Sequence, residues 1–168
     1  MSRNPLNHYP CIRLADIKAL PVAELAHPDG ARLLMWVTMP FLEKGFETAK
    51  AWGFRYSTAR VWVKLWPSED CMFITPASLA RGTGYEVIGN AEMLLIFKIG
   101  RPAKLGPKKP GSVIIARRRE HSRKPDMVRD EITHLFDGPR CELFARTEDS
   151  RFDVWGNQTT RFNESLAA

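Results

Sequence analysis

Cysteine is scarce in this chain: only Cys11, Cys71 and Cys141 are present. An odd number, widely spaced and without a Cys-x-x-Cys pair, indicates neither a disulfide framework nor a zinc ribbon. Long apolar runs are missing as well. None approaches the roughly 20 residues of a membrane-spanning helix, and the opening MSRNPLNHYP has neither the apolar core nor the cleavage pattern of a secretory signal. The expected setting is therefore the cytoplasm, with reduced thiols and no membrane. His8, His27, His121 and His134 stand at no metal-ligand spacing from one another or from the cysteines. GTGYEVIG supplies Gly82, Gly84 and Gly89, but without the Gly-x-Gly-x-x-Gly spacing or a buried strand leading into it, so it reads as a flexible loop rather than a dinucleotide fingerprint. Ser78 and Ser122 lack the Gly-x-Ser-x-Gly setting of a hydrolase nucleophile.

What is present suits one globular domain over residues 1–168. The chain is 44% hydrophobic, enough for a core of its own. Lys and Arg outnumber Asp and Glu by 25 to 19, a formal charge of +6. The cations are unevenly spread: KIGRPAKLGPKKPGSVIIARRREHSRK, residues 98–124, carries few acids among them. Such a stretch can track the phosphates of a polyanion, although a basic surface alone also serves solubility.

Periodicity sets out the elements. ARLLMWVT, residues 31–38, is a continuous apolar run, as expected of a strand covered on both faces. Pro40, the apolar spacing of Phe41, Phe46, Ala49 and Trp52, and the stop at Gly53 predict a helix from about 40 to 52. RYSTARVWVKLW alternates, with Val61, Val63 and Leu65 on one face and Arg60, Trp62, Lys64 and Trp66 on the other. AEMLLIFKIG and SVIIA are further strands, and Val128, Ile132, Leu135 and Phe136 form a helical stripe that DGP ends at 137–139. CELFA reads as the last strand. Strands of the buried kind alternating with amphipathic helices predict an α/β fold, a mostly parallel sheet with helices on both faces. Residues 67–90 are the longest stretch without strong periodicity, a length usual for functional loops.

Ligands of open α/β sheets bind at the carboxyl ends of the strands. The last predicted strand places Phe144, Ala145 and Arg146 at such a rim, with Glu142 just below. An acid there can accept hydrogen bonds from ribose hydroxyls, and Lys124 ahead of a helix can meet a ligand carboxylate. Taken singly, Glu142 and Arg146 also read as ordinary surface residues. Trp36, Trp52 and Trp62 suit a core, but Trp62 shares its face with Lys64, a pairing that could stack a base and contact a phosphate.

NHYPCIRLADIKALPVAELA, LLMWVT, AWGFRYSTARVWVKLW, GTGYEVIGNAEMLLIFKIG, RREHSRKPDMV and CELFART…WGNQ resemble, in order and spacing, the MT-A70 family of S-adenosylmethionine-dependent adenine-N6 methyltransferases, its bacterial and phage members most of all. The resemblance runs from about residue 4 to 158. It implies a Rossmann-like methyltransferase sheet, S-adenosyl-L-methionine as cofactor and adenine in DNA as target, with RNA the lesser alternative. By the same resemblance, Lys124 contacts the cofactor carboxylate, Glu142, Phe144 and Arg146 surround its ribose and adenine, and Asn157 and Gln158 close the pocket. Tyr9, Trp62 and Lys64 match positions near the target adenine. A homodimer or a partner subunit is left open.

One departure stands beside the match. The family's catalytic signature, Asp-Pro-Pro followed by an aromatic, lies upstream of its HYP motif, and Asp-Pro-Pro occurs nowhere in the 168 residues. SRNPLNHYP also resembles the interior of the family's domain. The expectation is an N-terminally incomplete domain whose missing part would supply the amine-holding groups and a central strand. The alternative is a degenerate, non-catalytic module that binds nucleic acid or a partner subunit.

Overall fold

The computed structural model describes residues 12–67, 73–84, 86–106 and 108–163. Six strands and three α-helices follow in the order α1 (Leu14–Lys18), β1 (Gly30–Val37), α2 (Leu42–Ala51), β2 (Arg55–Leu65), β3 (Ala91–Gly100), β4 (Val113–Arg117), α3 (Asp126–Leu135), β5 (Cys141–Leu143) and β6 (Asp153–Trp155). Four strands form one sheet in the order β1-β3-β2-β4, and β5 and β6 form a second, two-stranded sheet. The result is a mixed α/β fold. The expectation of a mostly parallel sheet is corrected in one respect: β1 pairs antiparallel with β3 along its whole length, Gly30 opposite Gly100 and Val37 opposite Met93. β2 with β4 and β5 with β6 are parallel.

The chain divides into two compact units, one of residues 1–60 with 93–102, the other of 61–92 with 103–168. In the first, Pro40 opens a single 3-10 turn, Met39–Phe41, and α2 follows from Leu42. Gly53, at φ +80°, ends the helical region as its lack of a Cβ allows. Gly45 lets α2 approach β1 closely, since a Cβ there would stand 2.8 Å from a Val37 methyl. Ala49, Trp52, Phe54, Leu94, Leu95 and Phe97 are buried in this unit. Phe46, Tyr56 and Phe97 meet edge to face, their ring centroids 5.1–5.8 Å apart. β1 itself is half-buried, with only Val37 fully enclosed, so its apolar run does not mark a strand covered on both faces.

The second unit carries Trp62, Ala80, Ile114, Val128, Ala145 and Phe162 as its buried apolar residues among those described. β5 is shorter than CELFA suggested, because Phe144 turns into the left-handed region at φ 59°. Nor is β5 the last strand: β6 follows, and the Ala145 N–H donates to the Trp155 carbonyl at 3.0 Å to tie the two exits together.

Candidate functional site

The site begins with a charge inside an apolar strand. Glu92, second residue of β3, is 4% exposed, and a carboxylate so enclosed requires partners. It has two. Lys64 Nζ on β2 lies 2.9 Å from one carboxylate oxygen, and Lys124, ahead of α3, hydrogen-bonds the other. Burial pushes the Glu92 carboxyl up, but Lys124 and Lys64 together outweigh it and hold the group below the ordinary carboxylate range. Lys124 is lowered: burial acts first, Glu92 opposes it, and the nearby charges of Lys64 and Arg146 lower it further. Lys64, Glu92, Lys124 and Arg146 therefore share one electrostatic neighbourhood.

Two arginines tie the exit of β5 to α3 and the loop before it. Arg146 donates to the His121 carbonyl at 2.8 Å, its guanidinium 4.6 Å from the centre of the Phe162 ring. Arg129, on α3, donates through Nε to Glu142 at 2.8 Å and through Nη2 to the Thr147 carbonyl at 3.1 Å. Glu142 is thus held in place by a cation of the protein. Phe144, exposed and in the left-handed conformation, meets Trp155 edge to face at 5.4 Å. Gly156 follows β6, packed so closely that a Cβ would sit 2.9 Å from the Ala145 carbonyl oxygen. Asn157 and Gln158 come next, exposed and half-buried respectively. The β5–β6 register, Glu142 opposite Val154 and Leu143 opposite Trp155, brings this turn beside the exit of β5.

The residues expected near a target base fare differently. Lys64 joins the cluster. Trp62 does not present a stacking face: it is 2% exposed, its indole N–H donates to the Ala116 carbonyl at 3.0 Å, and Lys64 Nζ lies 4.9 Å from its ring centre. Arg60 and Trp62 point to the buried side of β2, the reverse of a polar, ligand-facing surface. Tyr9 lies outside the described residues. Glu92 was missed from sequence, although a lone acid within AEMLLIFKIG is a readable signal, because an acid in a buried strand is paired or absent.

The MT-A70 family profile matches residues 1–158. The chain belongs to the MT-A70 family. Its relatives carry methyltransferase names. The type II methyltransferase M.MunI of a Mycoplasma species is 30% identical over 151 residues, 88% of this chain and 58% of its own. An N(6)-adenosine-methyltransferase MT-A70-like protein of Drosophila melanogaster is 30% identical over 132 residues, covering 78% of this chain and 20% of itself. The N(6)-adenine-specific methyltransferase METTL4 of Mus musculus is 26% identical over 166 residues, 93% and 34%. The chain thus spans less than two thirds of these MT-A70 relatives. The donor set around β5 comprises a cation, Lys124, an acid, Glu142, the exposed ring of Phe144 and the amides of Asn157 and Gln158.

Proposed function

We propose that this chain is the cofactor-binding part of a cytoplasmic adenine-N6 methyltransferase that takes its methyl group from S-adenosyl-L-methionine and acts on DNA. The observation that carries this reading is the Lys64–Glu92–Lys124–Arg146 cluster beside the β5 exit in a chain of the MT-A70 family. When bound, the cofactor supplies an electrophilic methyl on a sulfonium. The rest is positioning. Glu92 fixes the Lys124 ammonium where a ligand carboxylate can meet it. Glu142, oriented by Arg129, accepts from ribose hydroxyls. Phe144 and Arg146 flank the adenine, and Asn157 and Gln158 close the pocket. Lys64 contacts the target base, and Trp62 supports Lys64 from beneath. The exocyclic amine of adenine is a weak nucleophile because its lone pair is delocalised into the ring, so alignment with the methyl carries much of the rate. The DNA assignment follows from the resemblance of the motifs to bacterial and phage members of the family. No described helix is long and apolar enough to cross a membrane.

A second reading is a binding module without methyl transfer. Calorimetry with S-adenosylmethionine and a tritiated-methyl transfer assay on adenine-containing DNA separate the two. Cofactor binding with N6-methyladenine formation supports the first, and binding without transfer supports the second. Glu142→Ala and Asn157→Ala are each expected to weaken cofactor binding about tenfold, roughly 1.4 kcal/mol. If both stay within about threefold of the parent chain, the pocket assignment is wrong.

A further inference from the structure

β2 and β4 are parallel neighbours with Leu65 opposite Arg117, so their carboxyl ends open on the same side. Just beyond, the Trp66 N–H donates to the Ser78 carbonyl at 3.1 Å and the Arg118 N–H to the Leu65 carbonyl at 2.8 Å, which fixes where both side chains emerge. The Arg118 guanidinium carbon sits 5.4 Å from the centre of the Trp66 ring. Arg117, Arg118 and Arg119 are all exposed, and with Pro67 and Glu120 they line an open recess of about 450 Å³. Two members of this recess are already engaged. Arg119 is paired with Asp126, and Glu120 accepts from the buried Arg123 at 3.2 Å. Arg118 instead lies against an aromatic face.

We propose that Arg118, seated on Trp66, is a clamp for the phosphodiester backbone of the polynucleotide, a proposal that rests on the nucleic-acid reading above. A guanidinium stacked on an indole keeps its charge and its in-plane N–H fork while one face is covered, so the fork is pre-oriented for two oxygens of one phosphate. The recess is open rather than enclosed, which admits a continuous backbone. Exposed Lys104, Lys108 and Lys109 precede β4 in the same basic stretch and extend the positive surface along the chain.

The test is fluorescence anisotropy with a labelled adenine-containing DNA oligonucleotide and an RNA of the same sequence, over a salt series. Arg118→Ala is expected to weaken binding of both about fivefold and to flatten the slope of log K against log salt by about 0.7 on a single strand or 0.9 on duplex DNA, one phosphate contact. Trp66→Leu keeps the charge but removes the seat. It should weaken binding as well, and the double variant should be no weaker than Arg118→Ala alone, because the two act as one unit. Arg119→Ala removes an equal charge already paired with Asp126 and should flatten the slope less than half as much. An unchanged slope in Arg118→Ala, or full additivity with Trp66→Leu, would each overturn the clamp. Calorimetry with S-adenosylmethionine on the same variants should stay within twofold of the parent. A parent chain that binds no polynucleotide sinks the nucleic-acid reading and the clamp together, whereas binding indifferent to Arg118 sinks the clamp alone.

Discussion

Glu92 shows how much one residue can organise. Its carboxylate is enclosed, yet it is held ionised by Lys64 and Lys124, which come from separate segments of the chain. Removing it would leave two ammonium groups facing each other with nothing between them. Lys64 and Lys124 are partly exposed, 19% and 32% by side chain, so solvent screens some of that penalty. Glu92→Gln is expected to lower stability at neutral pH by about 2 kcal/mol, under the 3–5 kcal/mol of a fully buried broken pair. The pH dependence has a definite sign. A carboxyl held below its ordinary value of 4.5 stabilises the fold above that value, and the contribution is lost as pH falls through the folded-state pKa. Lys124, also lowered, acts only on the alkaline side, so acid loss reports the carboxylates. Urea unfolding at neutral pH and near pH 3.5 should show a smaller acid loss for Glu92→Gln than for the parent. Glu120 and Asp149, both lowered, keep the residual loss above zero. An identical acid loss in the two proteins would dissociate Glu92 from the effect.

At the scale of elements, the turn after β6 is set by Gly156. A Cβ there would stand 2.9 Å from the Ala145 oxygen and 3.0 Å from its nitrogen. Both are backbone atoms and cannot rotate away, so Gly156→Ala must part the exits of β5 and β6. A loss of about 1–3 kcal/mol is expected, together with weaker cofactor binding because Asn157 and Gln158 follow directly. A thermal melt and a calorimetric titration of the variant check both, and a change in neither would mean that the turn yields freely. Elements of this kind were unevenly legible in the sequence. α2 and α3 announced themselves through apolar spacing, bounded by Pro40 and Gly53 in the first and ended by the DGP at 137–139 in the second. β3 and β4 followed from apolar runs. β6 is three residues, Asp153–Trp155, too short for any alternation to register. The alternation in β2 told which residues share a face but not which face turns inward, and the buried one holds Arg60 and Trp62. Pairing direction depends on how the chain connects strands, which hydrophobic pattern does not encode, so the antiparallel β1–β3 pair went unread. The residues at the β5 exit stand out in the sequence because their polar types crowd into one short segment. Glu92 was not, because its partners are 28 and 32 residues away.

For the whole molecule the relevant quantity is charge, and the structure sorts the cations of residues 98–124 into two kinds. Arg123 is buried against Glu120 and Asp126, Arg119 pairs with Asp126, and Lys124 with Glu92. These neutralise acids of the protein itself and add little to an external field. Arg101, Lys104, Lys108, Lys109 and Arg118 are exposed, and they contribute most directly to the attraction of a polyanion. Counterions displaced from DNA by such groups make affinity fall with salt at about 0.9 log units per log unit for each phosphate contact. Neutralising Lys104, Lys108 and Lys109 together should therefore weaken DNA binding at low salt and flatten the slope by about 2 to 3. The same three changes should leave S-adenosylmethionine affinity within twofold, because none of these lysines belongs to the cluster around Glu92. Anisotropy across a salt series, paired with calorimetry on the same preparations, reads both. A DNA affinity indifferent to salt, or a triple variant that binds as tightly as the parent chain, would mean that the net charge of +6 serves solubility and that the nucleic acid is held elsewhere.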